Sequence, residues 1–355
     1  MKPLNEIIGN TINERRQSLA EQIVARQYEQ QPEFWLPFGV GGRKVSIRDA
    51  SYHLGYLAEA ILAADVSLFT GYVAWLKELF VGLQFPDDAM IKTLECIGNV
   101  LTGVLPKKMA AIVNEYIAAG LEQMQQPAPV TGSFISEHDP LADLSMQYVN
   151  TLLRGDRNHA IRLIMNAVDR GINVKDIYLR VFQPSLYEFG RLWLQNKINV
   201  AQEHYCSAVT QMIMSQLYPR IFNTNRIGRR LVAACVEGEL HQIGIHMVAD
   251  FFEMDGWDTY YLGANTPVKA ILHAIHDYEA DILGISLTMH VQRSALEDLL
   301  NHLRQSEIGK KIKILVGGYI FQKTPDLYKR LEVDGWAADA QEAVNVANRL
   351  LHIKT

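Results

Sequence analysis

Cysteine is scarce: Cys96, Cys206 and Cys235 are the three in 355 residues, and they lie far apart. They offer neither a paired metal-ligand spacing nor a disulfide framework, which fits a reducing compartment. Positive charge is not in excess, since 34 Lys and Arg face 39 Asp and Glu for a net charge of -5. A chain-wide electrostatic footprint for nucleic acid is therefore missing. Long apolar runs are missing too: the richest stretch, 57–83, is broken by Glu59, Asp65, Lys77 and Glu78, so no membrane span is expected. The first ten residues lack the basic start, apolar run and small-residue site of a secretory leader. Glycine and proline, 24 and 12 residues, stay near ordinary usage and exclude a collagenous or broadly disordered chain. These absences lead to the expectation of a soluble, cytoplasmic protein.

What is present is a large apolar fraction, 48% of 355 residues, more than one compact core holds by the usual size relation. The expected fold class is multidomain: an N-terminal all-helical domain, a four-helix bundle and a C-terminal α/β Rossmann-like domain. Residues 1–125 read as helices, with apolar residues at helical spacing over 51–64 and 68–83. Breakers fall at Pro37, Gly39, Gly41 and Gly42, then at Pro86 and Pro106. The Pro- and Gly-containing stretch 125–140 is the linker. A second helical block fills 141–222 with pieces at 143–153, 157–170, 174–193 and 201–222, capped in part by Asp156 and Asn173.

The periodicity changes within 228–355. Short apolar strands at 230–236, 258–262, 281–287, 313–316 and 335–337 alternate with helices at 241–255, 267–278, 294–303, 325–331 and 340–352. That alternation predicts a mostly parallel, doubly wound sheet, with ligands outside the carboxyl ends of its strands. The loop after the first strand reads Glu237-Gly238-Glu239-Leu240-His241-Gln242-Ile243-Gly244. It lacks the Gly-x-Gly-x-x-Gly turn of a dinucleotide site, and its two acids oppose an anionic ligand. A histidine with a carboxylate two residues before it suits a transition metal, because the acid fixes the tautomer and raises basicity. One good ligand does not make a bare zinc or iron site, whereas a metal that brings four in-plane ligands needs only one from the protein. A solvated loop histidine is the alternative.

The motif resembles the cobalamin-binding fold of methionine synthase, base-off mutases and corrinoid methyltransferase proteins. After His241 and Gly244 come 41 residues to Ser286, which opens Ser286-Leu287-Thr288, and later Gly317-Gly318. Glu239 stands where most of that family has Asp, and 262–267 resembles the loop after its second strand. The resemblance implies His241 as the lower cobalt ligand and Glu239 as its support. Gly244, Gly263 and Thr266 would lie in the cofactor site, and Ser286 and Thr288 would line the dimethylbenzimidazole tail, with Gly317 and Gly318 giving it room.

In the helical block, Trp193 is followed after nine residues by Glu203-His204. A packed Trp and a capping Glu-His pair is one reading. The spacing also resembles the adenosylcobalamin-dependent light sensors related to bacterial carotenoid repressors, in which these residues line the upper chamber. Leu194 stands where those repressors carry a second histidine, so a bis-histidine product would need another donor such as His204, and aquation of cobalt is the simpler expectation. A basic recognition helix is not evident, so DNA binding is not expected. Ten aromatic or histidine side chains crowd 34–80, His53 among them, and the layout resembles photocobilins that also hold biliverdin. Arg43 and Arg48 would then meet its propionates, while Cys96 lies in an apolar helix unsuited to covalent attachment. The resemblance thus implies a non-enzymatic light sensor with adenosylcobalamin and biliverdin, light-dependent homo-oligomers and a downstream effector. The alternative is a corrinoid carrier protein for a methyltransferase system.

Overall fold

The computed structural model describes residues 3–221, 225–324 and 326–353, except for the side chain of Asp87. The chain divides into two compact units. One comprises Met1–Gly132 with Leu194–Lys197, the other Ser133–Trp193 with Ile198–Thr355.

The first unit is helical. Its main helices are Leu4–Glu14, Arg16–Gln30, Gly39–Leu62, Val66–Gly82, Asp87–Val104 and Lys107–Gln125. Pro86 and Pro106 precede the last two, where their missing N–H groups cost no helical bond. The glycines at 39, 41 and 42 do not separate helices as expected but open one, after a tight turn at Leu36–Phe38. A Cβ on Gly42 would lie 2.2 Å from the Cβ of Phe38, so only glycine admits that turn. The core is built from Ile8, Ile23, Leu57, Phe69, Leu94 and Val113, all fully buried. His53 belongs to this core: its Nδ1 pairs with the Tyr72 hydroxyl at 2.8 Å, and Tyr72 stacks on Tyr56. Burial lowers the His53 pKa to about 4, so the ring is neutral.

The second unit joins the helical block to the α/β part. Helices Ala142–Leu153 and Arg157–Asp169 lie close to their expected bounds, while Val200–Leu217 ends short of the expected 222, which lies outside the described residues. Asp156 and Asn173 cap as the sequence suggests, accepting from His159 N and Lys175 N. Each such cap contributes about 1 kcal/mol. The expected helix 174–193 is instead interrupted by a π-helical stretch, Ile177–Phe182, before Gln183–Leu194. The wider turn directs Ile177, Tyr178, Val181 and Phe182 all inward. Tyr178 donates to Asp250 at 2.8 Å, and burial raises that carboxyl to about 7 despite this bond.

Five parallel strands follow: β1 (Arg230–Cys235), β2 (Asp258–Gly263), β3 (Ile282–Ser286), β4 (Lys313–Gly317) and β5 (Gly335–Ala337), in spatial order β2-β1-β3-β4-β5. Alternation along β1 sends Leu231, Ala233 and Cys235 to one face and Val232 and Ala234 to the other. The first face shares a continuous core with the helical block through Tyr148, Phe182, Phe251 and Phe252. The second is covered by helices Val268–Asp277 and Arg293–Gln305. The strand order reverses between β1 and β3, and the loops leaving their carboxyl ends flank the position where such sheets bind ligands. Among the described residues, no helix is long and apolar enough to cross a membrane.

Candidate functional site

His241 lies in the loop between β1 and helix Ile243–Met254, two residues before the helix rather than at its start. Its partner is Glu239, which is fully buried. One carboxylate oxygen, Oε1, accepts the His241 backbone N–H at 2.8 Å and lies 2.6 Å from its ring Nδ1. The other, Oε2, accepts the backbone N–H groups of Thr288 and Met289, at 2.7 and 3.3 Å. Four contacts thus hold one buried carboxylate between the loops after β1 and β3. An ionised carboxylate only accepts, so the proton sits on Nδ1 and the Nε2 lone pair is left for a ligand. Among the described residues Nε2 has no hydrogen-bond partner, and the side chain is 58% exposed.

Electrostatics follow from this geometry. Burial alone would raise the Glu239 pKa. The ring hydrogen bond and charge of His241, with the backbone N–H groups of His241 and Thr288, outweigh it and hold the carboxyl below its usual range. The same hydrogen bond raises the pKa of His241; burial opposes, and the charges of Glu239 and Glu203 add to the rise. Metal coordination at Nε2 would displace the second ring proton.

Glu203 on Val200–Leu217 is therefore close enough to His241 for its charge to be felt. Its neighbour His204 has a side chain that is 75% exposed, with Nδ1 2.6 Å from Glu203. The Glu-His pair does not cap the helix either, because Asn199 and Gln202 form a reciprocal capping box there. Trp193, on Gln183–Leu194, is half-buried against the shared core.

The strand-end loops carry the other expected residues. Thr266 and Ser286 are nearly buried, and Thr288 offers its N–H to Glu239. A Cβ on Gly244 would meet open space, leaving the approach to the loop clear. Gly318 is required by its own backbone, with φ of +103° and Leu287 O only 2.3 Å from where a Cβ would stand, whereas a Cβ on Gly317 would meet only Ala337 O at 3.4 Å. Sequence reasoning missed Gln242, Asn265 and Gln292. Gln292 donates to Gly238 O at 3.3 Å, and among the described residues its buried Oε1 has no hydrogen-bond partner. These donors and acceptors fit a metal that brings its own equatorial ligands and amide groups. Among the described residues no cluster of three His, Cys, Asp or Glu could hold a bare ion.

Comparison with known proteins decides between the remaining readings. Residues 229–345 match the B12 binding domain family, and 145–218 match a second B12 binding domain family. The C-terminal α/β domain binds B12. Residues 7–124 match the Phycobilisome protein family. A corrinoid protein of Desulfitobacterium hafniense is 22% identical over 205 residues, 56% of this chain and 94% of that protein. Dimethylamine corrinoid protein 2 of Methanosarcina acetivorans is 26% identical over 167 residues, 47% of this chain and 74% of the relative. The solved monomethylamine corrinoid protein of Methanosarcina barkeri superposes with a TM-score of 0.53 at 17% identity, covering 59% of this chain and 99% of that one, which shows a shared fold.

These relatives overturn the light-sensor expectation and the photocobilin resemblance: they are corrinoid proteins. The expected biliverdin, light-dependent assembly and signalling role fall with it. The residues that carried those expectations have other partners. Arg43 lies over the Tyr28 ring at 5.2 Å, Arg48 pairs with Asp49, His53 is a core residue and Cys96 is buried. The expectation of a binding protein rather than an enzyme agrees with corrinoid relatives.

Proposed function

We propose that the chain is a corrinoid carrier that works with a methyltransferase partner, with cobalamin held in its base-off form on Nε2 of His241. The observation that supports this most is the buried Glu239 carboxylate, which takes His241 Nδ1 on one oxygen and the Thr288 and Met289 N–H groups on the other. Such a carboxylate-imidazole pair orients a metal-binding nitrogen and strengthens it as a donor. Bound cobalamin would supply a cobalt centre able to carry a methyl group between partners. The protein's part would be to hold His241 in one tautomer, with the loops after β1, β2 and β3 and Trp193 and Glu203 of the helical block holding the group. Ser286, Thr288, Gly317 and Gly318 would take the displaced dimethylbenzimidazole arm, and Gly244, Gly263 and Thr266 its surroundings. The relatives named for dimethylamine and monomethylamine point to the same class of partner chemistry.

The test is reconstitution with methylcobalamin, followed by addition of a thiol and a corrinoid:thiol methyltransferase. The expected result is stoichiometric cobalamin uptake, with methylated thiol formed at the expense of the protein-bound methyl group and only when the partner is present. A chain that takes up no cobalamin, or holds it inert to every such partner, would overturn the carrier reading.

A further inference from the structure

Two amide side chains cross between the loop after β1 and the loop after β2, in opposite directions. From the first loop, Oε1 of Gln242 accepts the Ala264 backbone N–H at 3.1 Å and the Tyr261 hydroxyl at 3.0 Å. From the second, Oδ1 of Asn265 accepts the Gly238 backbone N–H at 2.8 Å. The backbone donors fix which end of each amide is the oxygen, since an N–H requires an acceptor. Two backbone bonds run beside them, Asn265 N to Glu239 O at 2.8 Å and Thr266 N to Cys235 O at 3.3 Å. Asn265 adopts φ of +49°, a left-handed conformation that asparagine tolerates better than most residues. Its side chain is thereby turned back across the gap.

Gln242 directly follows His241, and its carbonyl accepts His246 N at the first turn of helix Ile243–Met254. Among the described residues the Gln242 side chain makes no cap bond to this helix and instead accepts from the neighbouring loop. His241 is thus held from two sides: its ring by Glu239, and its backbone between Gly238 and Gln242, both tied to the segment 261–265. A metal ligand contributed by a loop needs this kind of support, since its nitrogen has to stay at coordination distance while the rest of the cofactor is exchanged or moved.

We infer that Gln242 and Asn265 form a reciprocal clamp that positions His241 for cobalt, and that they act as positioning residues without contacting the metal. This rests on the proposed ligation by His241. The clamp makes the lower-ligand loop rigid before cofactor arrives, and its loss would show as a cofactor that still binds but is held by a wandering imidazole.

The experiment uses the full chain loaded with cobalamin and measures the rate of cofactor release, together with the fraction of cobalt(II) EPR signal that shows coupling to a protein nitrogen. Gln242→Leu removes the acceptor at similar volume. Asn265→Gly keeps the left-handed backbone and removes Oδ1, and Gln242→Glu keeps an acceptor for both donors. Gln242→Leu and Asn265→Gly are each expected to release cobalamin about 10-fold faster, with a smaller protein-nitrogen fraction. Gln242→Glu should stay within about 2-fold of the parent, because both of its bonds are accepted ones. If Gln242→Leu does not fold, Asn265→Gly decides alone. Folded variants with parental release and parental nitrogen coupling would overturn the clamp, as would a Gln242→Glu protein that releases as fast as Gln242→Leu. His241→Ala separates the two levels: unchanged nitrogen coupling in that variant would overturn the axial assignment itself, whatever the clamp variants do.

Discussion

His53 and His241 both engage a neighbour through Nδ1, and the two could hardly be more different in consequence. His53 sits in the helical core with the Tyr72 hydroxyl at 2.8 Å, no carboxylate bonded to it and a pKa lowered to about 4. His241 stands at a strand end with more than half its side chain exposed, and the buried Glu239 raises its pKa. The neutral, enclosed ring is a packing element. The exposed ring, backed by a buried charge, keeps its Nε2 open to the surroundings. Residue type does not distinguish them; the partner of Nδ1 and the openness of Nε2 do.

Removing the carboxylate should break the contrast most severely. Glu239→Ala strips His241 of its tautomer control and leaves the Thr288 and Met289 N–H groups unsatisfied. It is expected to weaken cobalamin binding by about 100-fold and to destabilise the protein by roughly 3 kcal/mol, measured by titration and by urea unfolding of the unloaded chain. A parental affinity in that variant would mean that His241 is not the ligand.

Acid sharpens the other side. His53 is neutral when folded and takes a proton on unfolding, so its lowered pKa makes stability fall as pH drops from 6.5 toward about 4, and the contribution is fully present above 6.5. The loss is roughly 3 kcal/mol. Unfolding followed across this range should show the effect in the parent and lose it in His53→Phe, while cobalamin affinity at neutral pH stays parental in that variant. Tyr72→Phe is milder: it leaves His53 Nδ1 unsatisfied and should cost about 1–2 kcal/mol without touching the cofactor site. His204→Ala should do least. Its ring is exposed and bonded only to Glu203, so stability is expected within about 0.5 kcal/mol of the parent. A large loss of cobalamin in that variant would assign His204 to the cofactor site.

Much of the sheet was legible because its strands are short apolar runs separated by loops, and Asp156 and Asn173 announced their caps. The Glu239-His241 pair was legible for the same local reason: two residues of separation suffice for a carboxylate to reach Nδ1. What escaped depended on contacts between segments. The π-helical stretch follows from burying Ile177, Tyr178, Val181 and Phe182 together, with Tyr178 on Asp250, a residue 72 positions away. Gln242 and Asn265 carried a faint signal as amides in strand-end loops, but their bonds run from one loop to another. The aromatic supply of the first unit misled, since Tyr56, Phe69 and Tyr72 fill a core without needing a second cofactor. The Trp193 and Glu203 spacing misled in another way, because a shared spacing on two helices does not fix which task the protein performs.

The measurement that tests the central claim most directly is the cobalt(II) EPR spectrum of protein grown on histidine enriched in the heavy nitrogen isotope and loaded with ordinary cobalamin. Coordination by His241 predicts that each cobalt line splits into a doublet in the labelled protein and a triplet in the unlabelled one, with the doublet lost in labelled His241→Ala. A triplet that persists in the labelled protein would mean that the cofactor keeps its own dimethylbenzimidazole on cobalt, and would contradict the account.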